Sequence, residues 1–192
     1  MRSFSKHLAW LLCVLIAPAA FAQSDANLQE TPSVLLPGSY WEDRAPLKVG
    51  EAAPLWTLPL AGDSPLAKKG ATDLDFARWR GQKTTVVVFW AFWCDTWKDA
   101  TRYLGDVRGD LEKRGVKLVV VAVDASQQPV ARPAFRVKKL FSPVVIDARS
   151  HVTARYGVRR VPTVFVVGAD GKIRAIWEGL PGKKVLLKTL GR

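Results

Sequence analysis

The sequence predicts an α/β domain in which a mixed central sheet carries helices on both faces. Two runs made almost entirely of β-branched and other apolar residues, at positions 85–89 and 116–123, are typical of strands that are buried on both sides. Between them, apolar residues recur at steps of three and four, which indicates an amphipathic helix. Near the C-terminus, Ala169-Asp170-Gly171-Lys172 separates two further apolar runs and indicates an antiparallel hairpin. Strands that alternate with helices and end in a hairpin form a sheet with both parallel and antiparallel pairs.

The remaining elements are predicted from the same patterns of periodicity and turn residues. In chain order they are a strand at residues 55–60, a helical or turn segment at 71–80, a helix at 127–140, a strand at 144–147, a helical turn at 151–156, hairpin strands at 164–167 and 173–177, and a closing helix at 183–190.

The first central strand runs on to Cys94, and the amphipathic helix begins directly after it. The apolar face of this helix consists of Trp97, Ala100, Leu104, Val107 and Leu111, and Gly115 ends it. Cys94 therefore lies at a helix N-terminus, where unpaired N–H groups and the macrodipole favour an anion such as a thiolate. Asp95 opposes a second negative charge there, and Lys98, one turn on, partly offsets Asp95.

The N-terminal region has the layout of an export signal followed by a tether. Residues 1–22 combine Arg2 and Lys6 with an apolar run and end in Ala20-Phe21-Ala22, a small-x-small cleavage pattern. We expect an exported, periplasmic protein, or a membrane-anchored one if the signal is not cleaved. Residues 23–48 contain scattered prolines without periodicity and are expected to be a flexible tether, which leaves residues 49–192 as the domain.

Composition and charge restrict the classes of function. The apolar fraction of 48% suits a globular domain with a core, and the net charge is +12. Removal of residues 1–22, whose only full charges are Arg2 and Lys6, leaves +10. The export signal argues against nucleic acid as the partner of this basic chain. Attraction to an anionic membrane surface or an acidic protein, and a diffusely basic surface with no specific ligand, remain alternatives.

Four motifs in order resemble the thioredoxin superfamily, and more narrowly the exported redoxins of the TlpA/ResA type. They are residues 49–54 (VGEAAP), 89–94 (FWAFWC), 156–163 (YGVRRVPT) and 170–173 (DGKI). The resemblance covers residues 49 to the C-terminus. It implies a thioredoxin-like fold and thiol-disulfide oxidoreductase activity.

The chain departs from this family at its redox motif. Where the family has C-x-x-C, the sequence reads Cys94-Asp95-Thr96-Trp97, so Trp97 occupies the position of the resolving cysteine. Cys13 is expected to leave with the signal, and Cys94 is then the only thiol in the mature chain, so no internal disulfide is expected. A mixed disulfide at Cys94 therefore needs an external thiol for its release, either from a partner protein or from a small thiol.

The predicted site consists of Cys94 and the residues expected to surround it. Val161 and Pro162 resemble the family's substrate-facing loop, which pairs with an extended peptide by β-augmentation, and the bond between them is a candidate for the cis isomer. Trp93 is expected to flank the thiol as a docking surface. Trp97 either packs in the core or contacts the ligand.

Two other functions remain alternatives to the single-cysteine oxidoreductase. One is a non-catalytic module that binds a protein partner, for example during assembly of another exported protein. The other is a thiol peroxidase, for which Thr96 stands on the wrong side of Cys94. No cofactor is expected. No metal site is expected either, because only Cys94 and His151 remain as soft ligands.

Overall fold

The computed structural model describes residues 34–35, 45–61, 64–91, 94, 96–123 and 142–191, without the side chains of Val34, Leu35, Lys68 and Trp97. The strands in this part of the chain are β1 (Val34–Leu35), β2 (Thr57–Pro59), β3 (Asp73–Asp75), β4 (Thr85–Ala91), β5 (Lys117–Val123), β6 (Val144–Asp147), β7 (Arg160–Val161), β8 (Thr163–Val167) and β9 (Ile173–Glu178). The α-helices are α1 (Trp97–Lys113), α2 (His151–Arg155) and α3 (Lys183–Thr189), and short 3-10 helices lie at Ala67–Lys69 and Phe76–Arg78.

The central sheet has five strands in the order β6-β5-β4-β8-β9. β4 pairs in parallel with β5 and antiparallel with β8, and the outer pairs are β5–β6 (parallel) and β8–β9 (antiparallel). All seven residues of β4 are buried, which explains why its sequence is an unbroken apolar run instead of an alternating one. The mixed sheet predicted from the sequence is confirmed.

The two faces of the sheet contribute to two separate apolar clusters. Val86, Val88 and Trp90 of β4 face a cluster that includes the buried residues of α1 and Leu186 of α3. The alternate residues of β4 face a second cluster, to which Val152 of α2 belongs. Helices therefore lie against both faces, as predicted.

Most of the predicted elements are confirmed to within a few residues. The helix predicted after Cys94 is α1, and four of its five predicted apolar residues are buried: Ala100, Leu104, Val107 and Leu111. The terminal hairpin is β8 and β9, and the closing helix is α3. The helix predicted at residues 127–140 lies outside the described residues.

The segment predicted as a helix or turn at residues 71–80 is partly different in the structure. Its first half is strand β3, in which Leu74 pairs with Leu58 of β2. Only its second half turns, where the Asp75 carboxylate accepts a hydrogen bond from the N–H of Ala77 at 2.9 Å. The strand was not predicted because three residues are too few to establish a period.

β1 lies within the segment expected to be a tether. It pairs antiparallel with β7, with Val34 opposite Val161 and Leu35 opposite Arg160. The expected signal at residues 1–22, with Cys13, lies outside the described residues. The boundaries at residues 22 and 48 therefore stay predictions.

A buried carboxylate links the sheet to α2, and α2 leads into β7. Asp147, at the end of β6, is 2% exposed. Its Oδ2 accepts two hydrogen bonds of 2.7 Å from Thr153 in α2, one from the backbone N–H and one from the hydroxyl. Because a buried carboxylate with two donors is strongly held, the start of the 156–161 loop has a fixed position on the sheet.

Candidate active site

Cys94 lies in the short connection between β4, which ends at Ala91, and α1, which begins at Trp97. Its N–H donates to the carbonyl of Ala91 at 3.2 Å. The residue is only 1% exposed and belongs to the apolar cluster that contains Phe89, Tyr156 and Val161. The predicted placement at the junction of strand and helix is confirmed.

Thr96 contacts the sulfur directly. Its Oγ1 lies 2.9 Å from the Sγ of Cys94, and either atom can be the donor when the thiol is protonated. Thr96 occupies the N-cap position of α1, where a hydroxyl commonly bonds to the helix backbone, yet its side chain makes no capping hydrogen bond. When Cys94 is a thiolate, only the threonine hydroxyl can donate, so this contact stabilises the anion.

The loop before β8 closes the other side of the site. The bond between Val161 and Pro162 is cis. The carbonyl oxygen of Val161 lies 3.9 Å from the Sγ of Cys94, the long end of the range for a sulfur donor. A 2.6 Å hydrogen bond from the Thr163 hydroxyl to the carbonyl of Arg160 ties the loop back on itself. The N–H of Gly179 in turn donates to the carbonyl of Pro162 at 2.7 Å.

Tyr156, at the start of this loop, packs against two other aromatic rings. Tyr156 is fully buried against Phe89 and Phe165, at centroid distances of 5.0 and 5.1 Å, and its hydroxyl donates to the carbonyl of Pro54 at 3.1 Å. Burial raises the pKa of the Tyr156 phenol, so the group stays protonated and keeps this bond. The start of the loop is therefore packed and hydrogen-bonded.

The structure brings together three of the five predicted site residues: Cys94, Val161 and Pro162. Trp97 is the first residue of α1, but its side chain is not described, and Trp93 lies outside the described residues together with Asp95. Lys98 is exposed on the first turn of α1. Trp90 is fully buried, as its position in the strand predicts.

Thr96 is the neighbour of the thiol that the sequence analysis did not predict. The available signal was a hydroxyl residue two positions after a cysteine at a predicted helix start. That pattern normally predicts an N-cap, because a Ser or Thr side chain satisfies a free backbone N–H. Only the three-dimensional placement reveals that the hydroxyl is directed at sulfur.

Within the described ranges, no group of three or more His, Cys, Asp or Glu side chains lies close enough to hold a metal ion. In the same part of the chain, no helix combines the length and the apolar character needed to cross a membrane.

The sequence pattern of the AhpC/TSA family matches residues 49–176. Among characterised relatives, the chain is similar to the thiol-disulfide oxidoreductase ResA of Geobacillus thermodenitrificans. The identity is 28% over 152 residues, which cover 79% of this chain and 82% of that protein.

Solved structures with the same fold include two bacterial proteins. The thioredoxin domain of a thiol-disulfide oxidoreductase from Bacteroides vulgatus superposes with a TM-score of 0.60 at 20% identity, over 75% of this chain and 99% of that one. StoA from Bacillus subtilis gives a TM-score of 0.57 at 22% identity, over 71% of this chain and 96% of that one. The thioredoxin-like fold predicted from the sequence is confirmed.

Proposed function

This chain belongs to the AhpC/TSA family, as a TlpA/ResA-like member of the thioredoxin superfamily, and we propose that it is an exported thiol-disulfide oxidoreductase acting through Cys94 alone. One observation carries the proposal. The sulfur of Cys94 lies 2.9 Å from the Thr96 hydroxyl and 3.9 Å from the Val161 carbonyl of the cis-proline loop. A nucleophile with a nearby hydrogen-bond donor and a backbone edge beside it suits attack on a disulfide carried by an extended peptide.

The reaction begins with the thiolate of Cys94, because the thiolate and not the thiol attacks sulfur. A new S–S bond forms between Cys94 and one sulfur of the substrate while the substrate's own S–S bond breaks. The departing sulfur leaves with the electron pair as a thiolate and takes a proton from solvent. The product of this half-reaction is a mixed disulfide between the protein and its substrate.

Release of the mixed disulfide requires a second thiol, which the chain does not supply. Trp97 stands at the position of the resolving cysteine. We propose that an external thiol, from a partner protein or a small molecule, attacks the Cys94 sulfur of the mixed disulfide, which releases the substrate with both sulfurs reduced and leaves Cys94 bonded to the external thiol. A second external thiol then attacks the sulfur of the first and releases the Cys94 thiolate. The two external thiols end as one disulfide, and the two electrons they lose are those that the substrate disulfide gains.

Export and membrane contact are part of the same proposal. The signal-like layout of residues 1–22 supports a periplasmic location, where disulfides persist. The basic balance of the chain supports peripheral contact with anionic membrane surfaces. Neither feature alters the chemistry at Cys94.

The primary test is substitution of the nucleophile. The purified chain is incubated with a protein or peptide disulfide, and the mixed disulfide is detected by intact mass. The native chain should form the adduct and Cys94→Ser should form none. No adduct with the native chain, under conditions in which a small alkylating reagent labels Cys94, would refute the proposal.

A second test restores the missing thiol. Trp97→Cys should raise catalytic reduction of a disulfide by about tenfold or more, because release of the mixed disulfide becomes intramolecular. Trp97→Ser is the matched control, since it removes the indole without adding a thiol. Equal rates for the two variants, with both correctly folded, would show that position 97 is not placed to resolve the adduct.

A further inference from the structure

The strand next to the cis proline, β7, is already paired with β1 from the N-terminal part of the chain. β1 lies antiparallel to β7, and its Val34 stands opposite Val161, the residue whose carbonyl lies 3.9 Å from the Sγ of Cys94. Paired strands run about 4.8 Å apart, so β1 lies directly beside the residue whose carbonyl is close to the thiol. A strand of two residues is therefore seated where the proposed substrate would pair.

A second contact holds the same segment at the other end of the loop. The N–H of Leu47 donates to the carbonyl of Tyr156 at 3.5 Å. At Gly157, which has a φ of +64°, a Cβ atom would lie 2.5 Å from the Cα of Pro46 and 2.9 Å from the carbonyl oxygen of Ala45. The backbone at residues 45–47 thus packs closely on the start of the loop, while β1 pairs with its end.

Burial of the nucleophile is the third observation. Cys94 is 1% exposed and Val161 is fully buried. A protein disulfide cannot reach a sulfur with so little exposed surface unless part of its surroundings moves. One edge of a strand accepts one partner at a time, so β1 and a peptide substrate cannot both pair with β7.

We propose that β1 is an internal competitor of the peptide substrate, which must leave β7 before a disulfide-bearing peptide can bind there. The proposal depends on the proposed function, because it assigns the same edge to the substrate. A pair of only two residues is suited to this role, since elements held by few hydrogen bonds open locally without unfolding the domain.

The test weakens β1 without touching the domain. Val34→Pro with Leu35→Pro removes both backbone donors of β1, because proline has no N–H. Asn27→Pro with Leu28→Pro is the matched control, as it places two prolines in the same segment outside β1. Neighbouring residues of an antiparallel strand direct their N–H groups to opposite sides, so one of the two amides, Arg160 or Val161, faces β1. Hydrogen exchange at these two amides reports the pairing, whether or not the protein is an oxidoreductase.

The reaction is then followed with two probes. The first is a peptide whose single cysteine is disulfide-bonded to thionitrobenzoate, which releases a coloured thiolate when Cys94 attacks the peptide sulfur. The second is iodoacetamide, which needs access but no strand pairing. If β1 covers the edge in about nine-tenths of the molecules, freeing it should speed the peptide reaction about tenfold, with a smaller gain for iodoacetamide.

Two results for the Val34→Pro/Leu35→Pro chain would overturn the inference. One is hydrogen exchange at Arg160 and Val161 that is unchanged from the native chain. The other is faster exchange at these amides without a faster reaction of the peptide probe. If neither chain releases the coloured thiolate, the proposed function fails and a binding measurement decides the inference separately. A fluorescent peptide of residues 30–39 should bind the Val34→Pro/Leu35→Pro chain and not the native one. Binding to neither would show that β1 does not compete for this edge.

Discussion

Substitution of Thr96 by valine tests the contact on which the reactivity of Cys94 depends. Valine keeps the β-branched shape and removes the hydroxyl that lies 2.9 Å from sulfur. Since the Thr96 side chain makes no capping hydrogen bond, the change removes no cap from α1. The expected effect is therefore on the thiolate and not on the stability of the helix.

The size of the effect follows from the charge on the acceptor. A hydrogen bond to a charged group contributes about 1.5–3 kcal/mol, and we take the lower value of about 1.5 kcal/mol because sulfur is a weak acceptor. A cost of about 1.4 kcal/mol in activation free energy lowers a rate about tenfold. Thr96→Val should therefore lower the rate of Cys94 alkylation at neutral pH about tenfold.

The assay is the rate of iodoacetamide alkylation across a pH series, followed by intact mass. Thr96→Ser keeps the hydroxyl and should retain most of the native rate. Thr189→Val removes a hydroxyl that bonds within α3, to the carbonyl of Val185, and controls for the loss of a threonine elsewhere. If Thr96→Val reacts as fast as the native chain at every pH, the claim that the Thr96 hydroxyl stabilises the thiolate is refuted.

Two further predictions concern stability. The ring centroid of Phe165 lies 5.6 Å from that of Phe89 and 5.1 Å from that of Tyr156. Phe165→Ala leaves a cavity there and should lower the free energy of unfolding, measured by urea titration, by about 3–5 kcal/mol. Phe165→Leu, which fills most of the space, should lower it much less. The Nζ of Lys183 lies 2.7 Å from Asp110, and this hydrogen bond, together with the charge of Lys183, lowers the pKa of Asp110 from its ordinary value of 3.8. Because the pKa of Asp110 is lower in the folded chain than in the unfolded chain, the pair contributes fully to stability at pH values above the unfolded-chain pKa. This contribution is lost as the pH falls through the folded-chain pKa. The stability difference between the native chain and Asp110→Asn should accordingly shrink on acidification, and a difference independent of pH would contradict the assignment.

The sheet and α1 could be predicted because their signals are local. β4 and β5 consist almost entirely of apolar and β-branched residues, and α1 repeats its apolar residues with the period of a helix. A short window of sequence therefore contains the whole pattern. The same holds for the hairpin, in which Asp170 and Gly171 supply the turn chemistry. β3 was missed because a three-residue strand shows no period and forms only against β2.

Part of the site could be predicted from the sequence and part could not, and the difference has a physical cause. Cys94 at a strand-to-helix junction is a local feature, and its environment of helix N-terminus and nearby charge can be anticipated from neighbouring residues. The approach of the Val161 carbonyl to the sulfur joins residues 67 positions apart, and it depends on the antiparallel register of β4 and β8. The family resemblance predicted that the loop at Val161 lies next to Cys94, whereas the periodicity of the sequence carries no information on contacts between distant residues.

The sequence by itself determined the α/β class, the order of the central strands and helices along the chain, and the presence of Trp97 where the C-x-x-C motif has its second cysteine. Only the tertiary structure decided that the Thr96 hydroxyl turns to sulfur, that the thiol is buried, and that Val34 and Leu35 lie on the edge beside the cis proline. The first two depend on how distant side chains pack, and the third depends on which backbone groups remain unpaired once the sheet has formed. A two-residue strand has no pattern of its own, and its place is set by the edge that the folded domain offers.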